Sequence, residues 1–387
     1  MKSDEPASAG SDAAAAKRPA APSPQTELII DTDVHHSLAA KEDLYPFLPS
    51  HSRERLAEHG LPRLGNVYYQ NGGYQGIRAD CLKSPDEDSA AARSSFSLFQ
   101  EKLLGACGVN VAILNGELTA AFVTLADADY SADLCRAFND WTVANWLSKD
   151  DRFRCALTVP MHQPEAAVRE IERLGGHPGV VGIYVICGSP RLYGQRCFDR
   201  VYAACVEHGL VVALHFSGEG AGMNPPPTAA GFPSYYAETY LLRPQFYQAH
   251  LSSFLFEGTF EKFPSLRVVF LESGFAWVPA FRWRADTAWK ALRSQTPWVK
   301  RLPSEYIDAH VRFSTQPMEE PASAQALGEV LEWMHGANSL MFASDFPHWD
   351  FDAPATVAQC FPAAMRRQVL SGNALQTYPK LHGLARA

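Results

Sequence analysis

Five residues in this chain carry the chemistry of a divalent-metal site, and each stands at the end of an apolar run. Asp33 and His35 follow Leu28-Ile29-Ile30, two positions apart. On an extended strand two such residues share a face, so a carboxylate and an imidazole leave it side by side. His215 ends the run Val211-Val212-Ala213-Leu214, and Glu272 ends Val268-Val269-Phe270-Leu271. Asp345 follows Leu340-Met341-Phe342-Ala343-Ser344, with His348 three residues beyond it. Carboxylate oxygen and imidazole nitrogen are the usual donors to zinc, manganese and iron. Each residue alone also has a plainer reading: a capping Asp, a buried His bonded to backbone, or Glu272 paired with Arg282 or Arg284. Four strand ends with the same chemistry are hard to obtain by accident.

Such residues meet only if the strands converge. Strand-like runs are expected at Leu28–Asp33, Val109–Leu114, Arg154–Val159, Val180–Ile186, Leu210–Phe216, Leu266–Glu272, Val311–Ser314 and Ser339–Ser344. Several are near-continuous Val, Ile, Leu and Phe, as in parallel strands covered on both faces. Helical patterns intervene at Ser95–Leu104, Ser131–Leu147, Pro164–Leu174, Phe198–His208, Val278–Leu292 and Ala322–His335. Strict alternation over eight strands predicts an α/β fold, a closed (β/α)8 TIM barrel, whose C-terminal strand ends gather around one axis. No G-x-G-x-x-G opens a helix after the first strand, so a dinucleotide fold loses its main support. Two long insertions, residues 36–93 after strand one and 217–250 after strand five, are expected on the active-site face. They carry Tyr45, Tyr68, Tyr69, Asn71, Gly72, Gly73 and Tyr74, and Gly218, Gly220, Gly222 and Tyr235–Tyr236 respectively. Aromatic loops of this kind serve equally as substrate walls or as an oligomer interface.

Residues 1–26 hold eight Ala, four Pro and four Ser and no large apolar residue, which predicts a disordered tail before a barrel over 27–387. The chain has 34 Lys and Arg against 42 Asp and Glu, a net charge of −8, and no basic stripe. That balance argues against a nucleic-acid surface. No apolar run is long enough to cross a bilayer. Eight cysteines without a C-x-x-C pair, and no secretory signal, predict free thiols and a cytoplasmic protein.

In the order of these motifs the chain resembles the amidohydrolase superfamily, in the branch of aminocarboxymuconate-semialdehyde decarboxylase and γ-resorcylate decarboxylase. Asp33-Val34-His35 stands where that family has its strand-one metal pair, and His215 where it has its strand-five ligand. The run Glu257–Val268 looks like the turn before strand six. Asp345 with Phe346-Pro347-His348 matches the strand-eight Asp motif, and Ser371-Gly372-Asn373-Ala374 the C-terminal helix. Two positions depart: Asp33 where His or Glu is usual, and Glu272 where strand six usually ends in His.

The resemblance implies a metal-dependent hydrolase or carboxy-lyase acting on a small aromatic or carboxylated molecule. Asp33, His35, His215, Glu272 and Asp345 would hold one or two divalent ions, Zn, Mn or Fe. The carboxylate-rich set leans to Mn or Fe. Asp345, His348 and Glu272 would be catalytic, and Arg191, Arg243 or Arg284 would pair with a substrate carboxylate. The runner-up is a dinuclear iron or iron–manganese monooxygenase with Glu272 bridging and His36 or His348 added. A non-catalytic barrel supporting an active partner is the third reading. A homo-oligomer is expected, or a hetero-oligomer with a related barrel.

Overall fold

A computed structural model describes residues 27–64, 77–82, 89–117, 119–222 and 224–386. The expected tail, and Tyr68, Tyr69, Asn71, Gly72, Gly73 and Tyr74 of the first insertion, lie outside the described residues. The strands are β1 (Ile30–His36), β2 (Val111–Gly116), β3 (Phe153–Thr158), β4 (Val180–Ile186), β5 (Val211–His215), β6 (Val268–Leu271), β7 (Val311–Ser314) and β8 (Leu340–Met341). They form one parallel sheet in the order β1 to β8. Strand residues are buried almost throughout, as expected of a sheet with helices on its outer face and side chains filling its interior.

The barrel closes between β8 and β1 through separate bonds. The Thr32 amide donates to the Phe342 carbonyl (3.1 Å), the Asp345 amide to the Asp33 carbonyl (3.1 Å), and the His35 amide to the Phe346 carbonyl (2.8 Å). Ile30, Val111, Ile113, Val181, Val211, Ala213, Val269, Leu271 and Met341 pack together inside the barrel, and Tyr378 and Leu381 from the C-terminal segment join them. Their alternate neighbours, such as Val212, Leu214, Val268 and Phe270, join the outer core against the helices.

The helices begin where local chemistry favours it. Asp127 caps Ala128–Thr142 by accepting from the Tyr130 amide (3.1 Å), Pro164 opens Pro164–Leu174, and Ser323 caps Ala324–Trp333. The second insertion is not loop throughout, since Tyr236–Leu242 and Pro244–Phe256 are helical. Among the described residues no helix is long and apolar enough to cross a membrane.

Candidate metal centre

Strict alternation along β1 would not aim Asp33 and His35 inward, because Ile30 already faces the barrel interior. The ladder to β2 shifts register between Asp31 and Val34. That bulge reverses the parity, so Val34 joins the outer core while Asp33 and His35 turn to the axis. His215 arrives by simple alternation after Val211 and Ala213. Glu272 and Asp345 follow their strands with φ of 51° and 58°, left-handed values that cost a non-glycine residue on the order of 1 kcal/mol. Both are re-aimed by that turn.

The result is a ring of donors. His35 Nε2 lies 3.2 Å from Asp33 Oδ1 and 3.0 Å from Asp345 Oδ1. His215 Nε2 lies 3.4 Å from Asp33 Oδ2 and 3.5 Å from Glu272 Oε1. One atom from each of Asp33, His35, His215 and Asp345 falls within 4.8 Å of the others, and His35, Glu272, Asp345 and His348 form an overlapping group. Ligands about 2.1 Å from a common ion stand about 3 to 3.5 Å apart, so the spacing fits one cation. Among the described residues, Asp33 Oδ2, His35 Nε2 and His215 Nε2 are buried without a hydrogen-bond partner, a costly arrangement unless a cation meets them.

Neighbouring groups fix which atoms face inward. His215 Nδ1 bonds the Phe216 carbonyl (2.8 Å), so it carries the proton and leaves Nε2 as the donor lone pair. Asn115 Nδ2 donates to Asp33 Oδ1 (2.7 Å), and Gln316 Nε2 donates to Asp345 Oδ2 (3.3 Å).

Charge is apportioned unevenly. Burial alone would raise the Asp33 carboxyl, but the His215 and His35 imidazoles hold it well below the usual carboxylate range. Burial opposes a charge on His35, yet Asp33 beside it lifts its pKa to about 9. Burial would also raise Glu272, and the Arg243 guanidinium, with Nη1 2.7 Å from Oε2, holds it well below its ordinary value. Asp345 goes the other way: burial, then the negative charge of Glu272, push it well above the usual range. Two carboxylates in one site are thus shifted in opposite directions.

The structure brings Asp33, His35, His215 and Asp345 into one ring, with Glu272 and His348 at its edge. His36 is not part of it. It points outward, with Nε2 2.8 Å from Thr142 Oγ1 and its ring packed against Phe138, Trp141 and Trp146. The alternative reading of Glu272, an ion pair with Arg282 or Arg284, is not what forms: its partner is Arg243. Arg282 instead bonds Asp308 (3.0 Å), while Arg284 and Arg191 are exposed.

Sequence reasoning missed Glu117. Its Oε2 is 2.6 Å from His348 Nε2, and its Oε1 is 3.2 Å from Arg93 Nη1. His348 Nδ1 in turn lies 2.6 Å from Asp345 Oδ1, and its ring stacks on His35 at 4.4 Å. The signal was present: Val111-Ala112-Ile113-Leu114 leads through Asn115-Gly116 to Glu117, another apolar run ending in an acid.

Comparison with known proteins shows the family and the fold. The Amidohydrolase family profile matches residues 108–380. γ-Resorcylate decarboxylase of Polaromonas sp. is 26% identical over 294 residues, covering 70% of this chain and 84% of the relative. That of Rhodococcus jostii is 25% identical over 255 residues, covering 63% and 74%. Among solved structures, an amidohydrolase from Mycobacterium avium subsp. paratuberculosis superposes with a TM-score of 0.68 at 20% identity, over 90% of this chain and 97% of its own. A dihydroxybenzoic acid decarboxylase from Polaromonas sp., solved with bound manganese and 2-nitroresorcinol, gives 0.61 at 20% identity, over 93% and 98%. With its profile spanning most of the barrel and its acids and imidazoles at the mouth, the chain belongs to the amidohydrolase family, in the amidohydrolase-2 branch.

Proposed function

We propose that this chain is a metal-dependent decarboxylase of a small hydroxylated aromatic acid, with Asp33, His35, His215 and Asp345 holding the ion. The observation that carries this reading is the ring of buried carboxylate and imidazole donors, in which Asp33 Oδ2, His35 Nε2 and His215 Nε2 have no hydrogen-bond partner among the described residues. Decarboxylation breaks the bond between ring carbon and carboxylate carbon, releases CO2, and leaves the bond's electron pair on the ring carbon, where one proton must be placed. A divalent ion bound here supplies Lewis-acid charge against which substrate oxygens are chelated. Manganese or iron suits this set of two carboxylates and two imidazoles, which has no thiolate, better than a thiolate-selecting metal would. Asp345 is placed to pass that proton, because burial and the charge of Glu272 raise its proton affinity above that of an ordinary carboxylate. His348, 2.6 Å away, returns the proton to it, and Glu117 holds the imidazole in that orientation.

The aromatic preference rests on the rim. Arg243 lies between the rings of Phe216 (4.1 Å) and Tyr240 (4.3 Å), and Tyr240 contacts Trp349 at 5.6 Å. These groups follow β5 and β8, on the end of the barrel where Asp345 sits, and offer flat apolar surfaces there, with Arg243 itself committed to Glu272. Both sequence relatives and one of the two solved structures reported above are decarboxylases, which favours a redox-neutral reaction over the oxygenase reading. Hydrolysis uses the same ion and the same acid, and substrate trials separate the two.

The test is to load purified protein with Mn2+ or Zn2+ and offer 2,6-dihydroxybenzoate, 5-carboxyvanillate and other hydroxybenzoates. Equal yields of CO2 and phenol, without oxygen uptake, are expected for at least one of them. Cleavage of aryl esters or amides with no CO2 from any acid would replace this reading by hydrolysis.

A further inference from the structure

Glu219 is a buried acid that the metal ring does not use. It lies on the turn after β5, just beyond His215, and is 9% exposed. Past their last residues β4 and β5 stay bonded: the Cys187 amide donates to the His215 carbonyl (2.8 Å), and the Gly188 amide to the Ser217 carbonyl (2.8 Å). Gly218 and Glu219 therefore sit at the barrel mouth between β4 and β5, on the strand ends that carry the metal donors.

The turn is shaped to press Glu219 into that corner. Gly218 has a φ of 79°, a left-handed value that suits glycine. A Cβ on Gly188 would overlap the Gly218 carbonyl and the Glu219 amide, so glycine at 188 lets the two backbones close. Asn224 Nδ2 donates to the Gly218 carbonyl (2.7 Å), and the Gly220 amide donates to the Pro225 carbonyl (2.8 Å), which pins the far side of the loop.

What the turn encloses is an acceptor without a donor. Among the described residues, Glu219 Oε1 is buried and has no hydrogen-bond partner, and Asn224 Oδ1 on the same loop is in the same state. Such oxygens are costly to leave unpaired. Arg243 and His215 act on the Glu219 carboxyl electrostatically, but both are committed elsewhere, Arg243 to Glu272 (2.7 Å) and His215 to the donor ring. Burial pushes the carboxyl up to about 7 despite them. An ammonium group would bring a further positive charge into a corner that already holds Arg243. A neutral hydroxyl would not.

We propose that Glu219 is a specificity-determining residue whose Oε1 accepts a hydrogen bond from a ring hydroxyl of the substrate, one that does not chelate the ion. This rests on the decarboxylase reading above and narrows its substrate class to hydroxybenzoates with a further hydroxyl away from the carboxylate. A ring without that hydroxyl leaves Oε1 unpaired and binds more weakly.

Isothermal titration calorimetry of the full chain loaded with Mn2+ tests this, using 2-hydroxybenzoate and its 3-, 4- and 5-hydroxy and matching fluoro derivatives. At least one hydroxy derivative is expected to bind about 10- to 100-fold tighter than the parent acid, while its fluoro counterpart, which fills the space without a donor, gains nothing. Glu219→Leu and the smaller Glu219→Ala should each bring that derivative to within about three-fold of the parent. Glu219→Gln, which keeps an accepting oxygen, should retain most of the preference. Circular dichroism and bound manganese per chain check that each variant is folded and loaded. A preference absent from the wild type, shared by the fluoro derivative, or surviving the leucine and alanine substitutions overturns the inference. Selective binding without release of CO2 would instead strike the decarboxylase reading and leave the role of Glu219 standing.

Discussion

Asp345 Oδ1 and His348 Nδ1 lie 2.6 Å apart, on a turn that leaves β8 with Asp345 in the left-handed region. The contact joins a carboxyl, whose proton affinity burial raises, to an imidazole fixed on its far side by Glu117. Asparagine at position 345 keeps an oxygen for the ion but has no transferable proton. Asp345→Asn with saturating metal is therefore expected to lose about 10²–10⁴-fold in kcat while still binding the substrate. A variant retaining most of its turnover would remove Asp345 from the proton-transfer step.

Glu117 acts one contact further out. Burial would raise its carboxyl, but His348, then Arg93, hold it well below the usual range, so it faces His348 as a carboxylate. Glu117→Gln keeps the shape and removes the charge. Turnover should fall about 10- to 100-fold with bound metal unchanged. An unaltered kcat would mean that His348 needs no such anchor.

Arg243 is the counter-charge of a buried acid. Its Nη1 lies 2.7 Å from Glu272 Oε2, and both side chains are almost wholly enclosed. Arg243→Met leaves Glu272 unpaired and should cost about 3–5 kcal/mol, read from denaturant unfolding. Adding Glu272→Gln should recover most of the loss. If Arg243→Met is as stable as the wild type, the pair is not what stabilises Glu272.

His250 makes the protein sensitive to acid away from the metal centre. Its Nδ1 accepts from the Tyr193 amide (3.2 Å) and its Nε2 donates to the Cys187 carbonyl (2.9 Å), so the neutral ring is built in. Burial lowers its pKa from 6.5 to about 4. A folded-state pKa below the unfolded value gives stability that is present above pH 6.5 and lost as pH falls toward 4. Between pH 7 and pH 5 this group alone should remove about 2 kcal/mol. His250→Gln, which keeps a donor and an acceptor, should show a correspondingly smaller loss; an identical pH dependence would assign the acid sensitivity elsewhere.

The barrel was legible in the chain because parallel strands covered on both faces read as continuous apolar runs, and all eight fall close to their expected positions. The ends were less legible. β8 pairs only through Leu340 and Met341, because the residues after it bond singly to β1. Asp33 and His35 do share a face as their spacing predicts, but which face is decided by the bulge at Asp31–Val34, a feature no composition rule reveals. The same parity sends His36 outward. Glu117 escaped notice because Asn115 and Gly116, neither of them apolar strand formers, separate it from its apolar run. Arg243 displaced Arg282 and Arg284 as the partner of Glu272 because side-chain partners depend on how separate helices pack, which sequence spacing does not encode.

The central claim is that Asp33, His35, His215 and Asp345 hold one common ion. Elemental analysis of metal per chain, on wild type and on His215→Ala purified side by side without chelator, tests it most directly. The account predicts bound Mn, Fe or Zn in the wild type, and its loss from a variant whose circular dichroism is unchanged. Full metal occupancy in folded His215→Ala would contradict it.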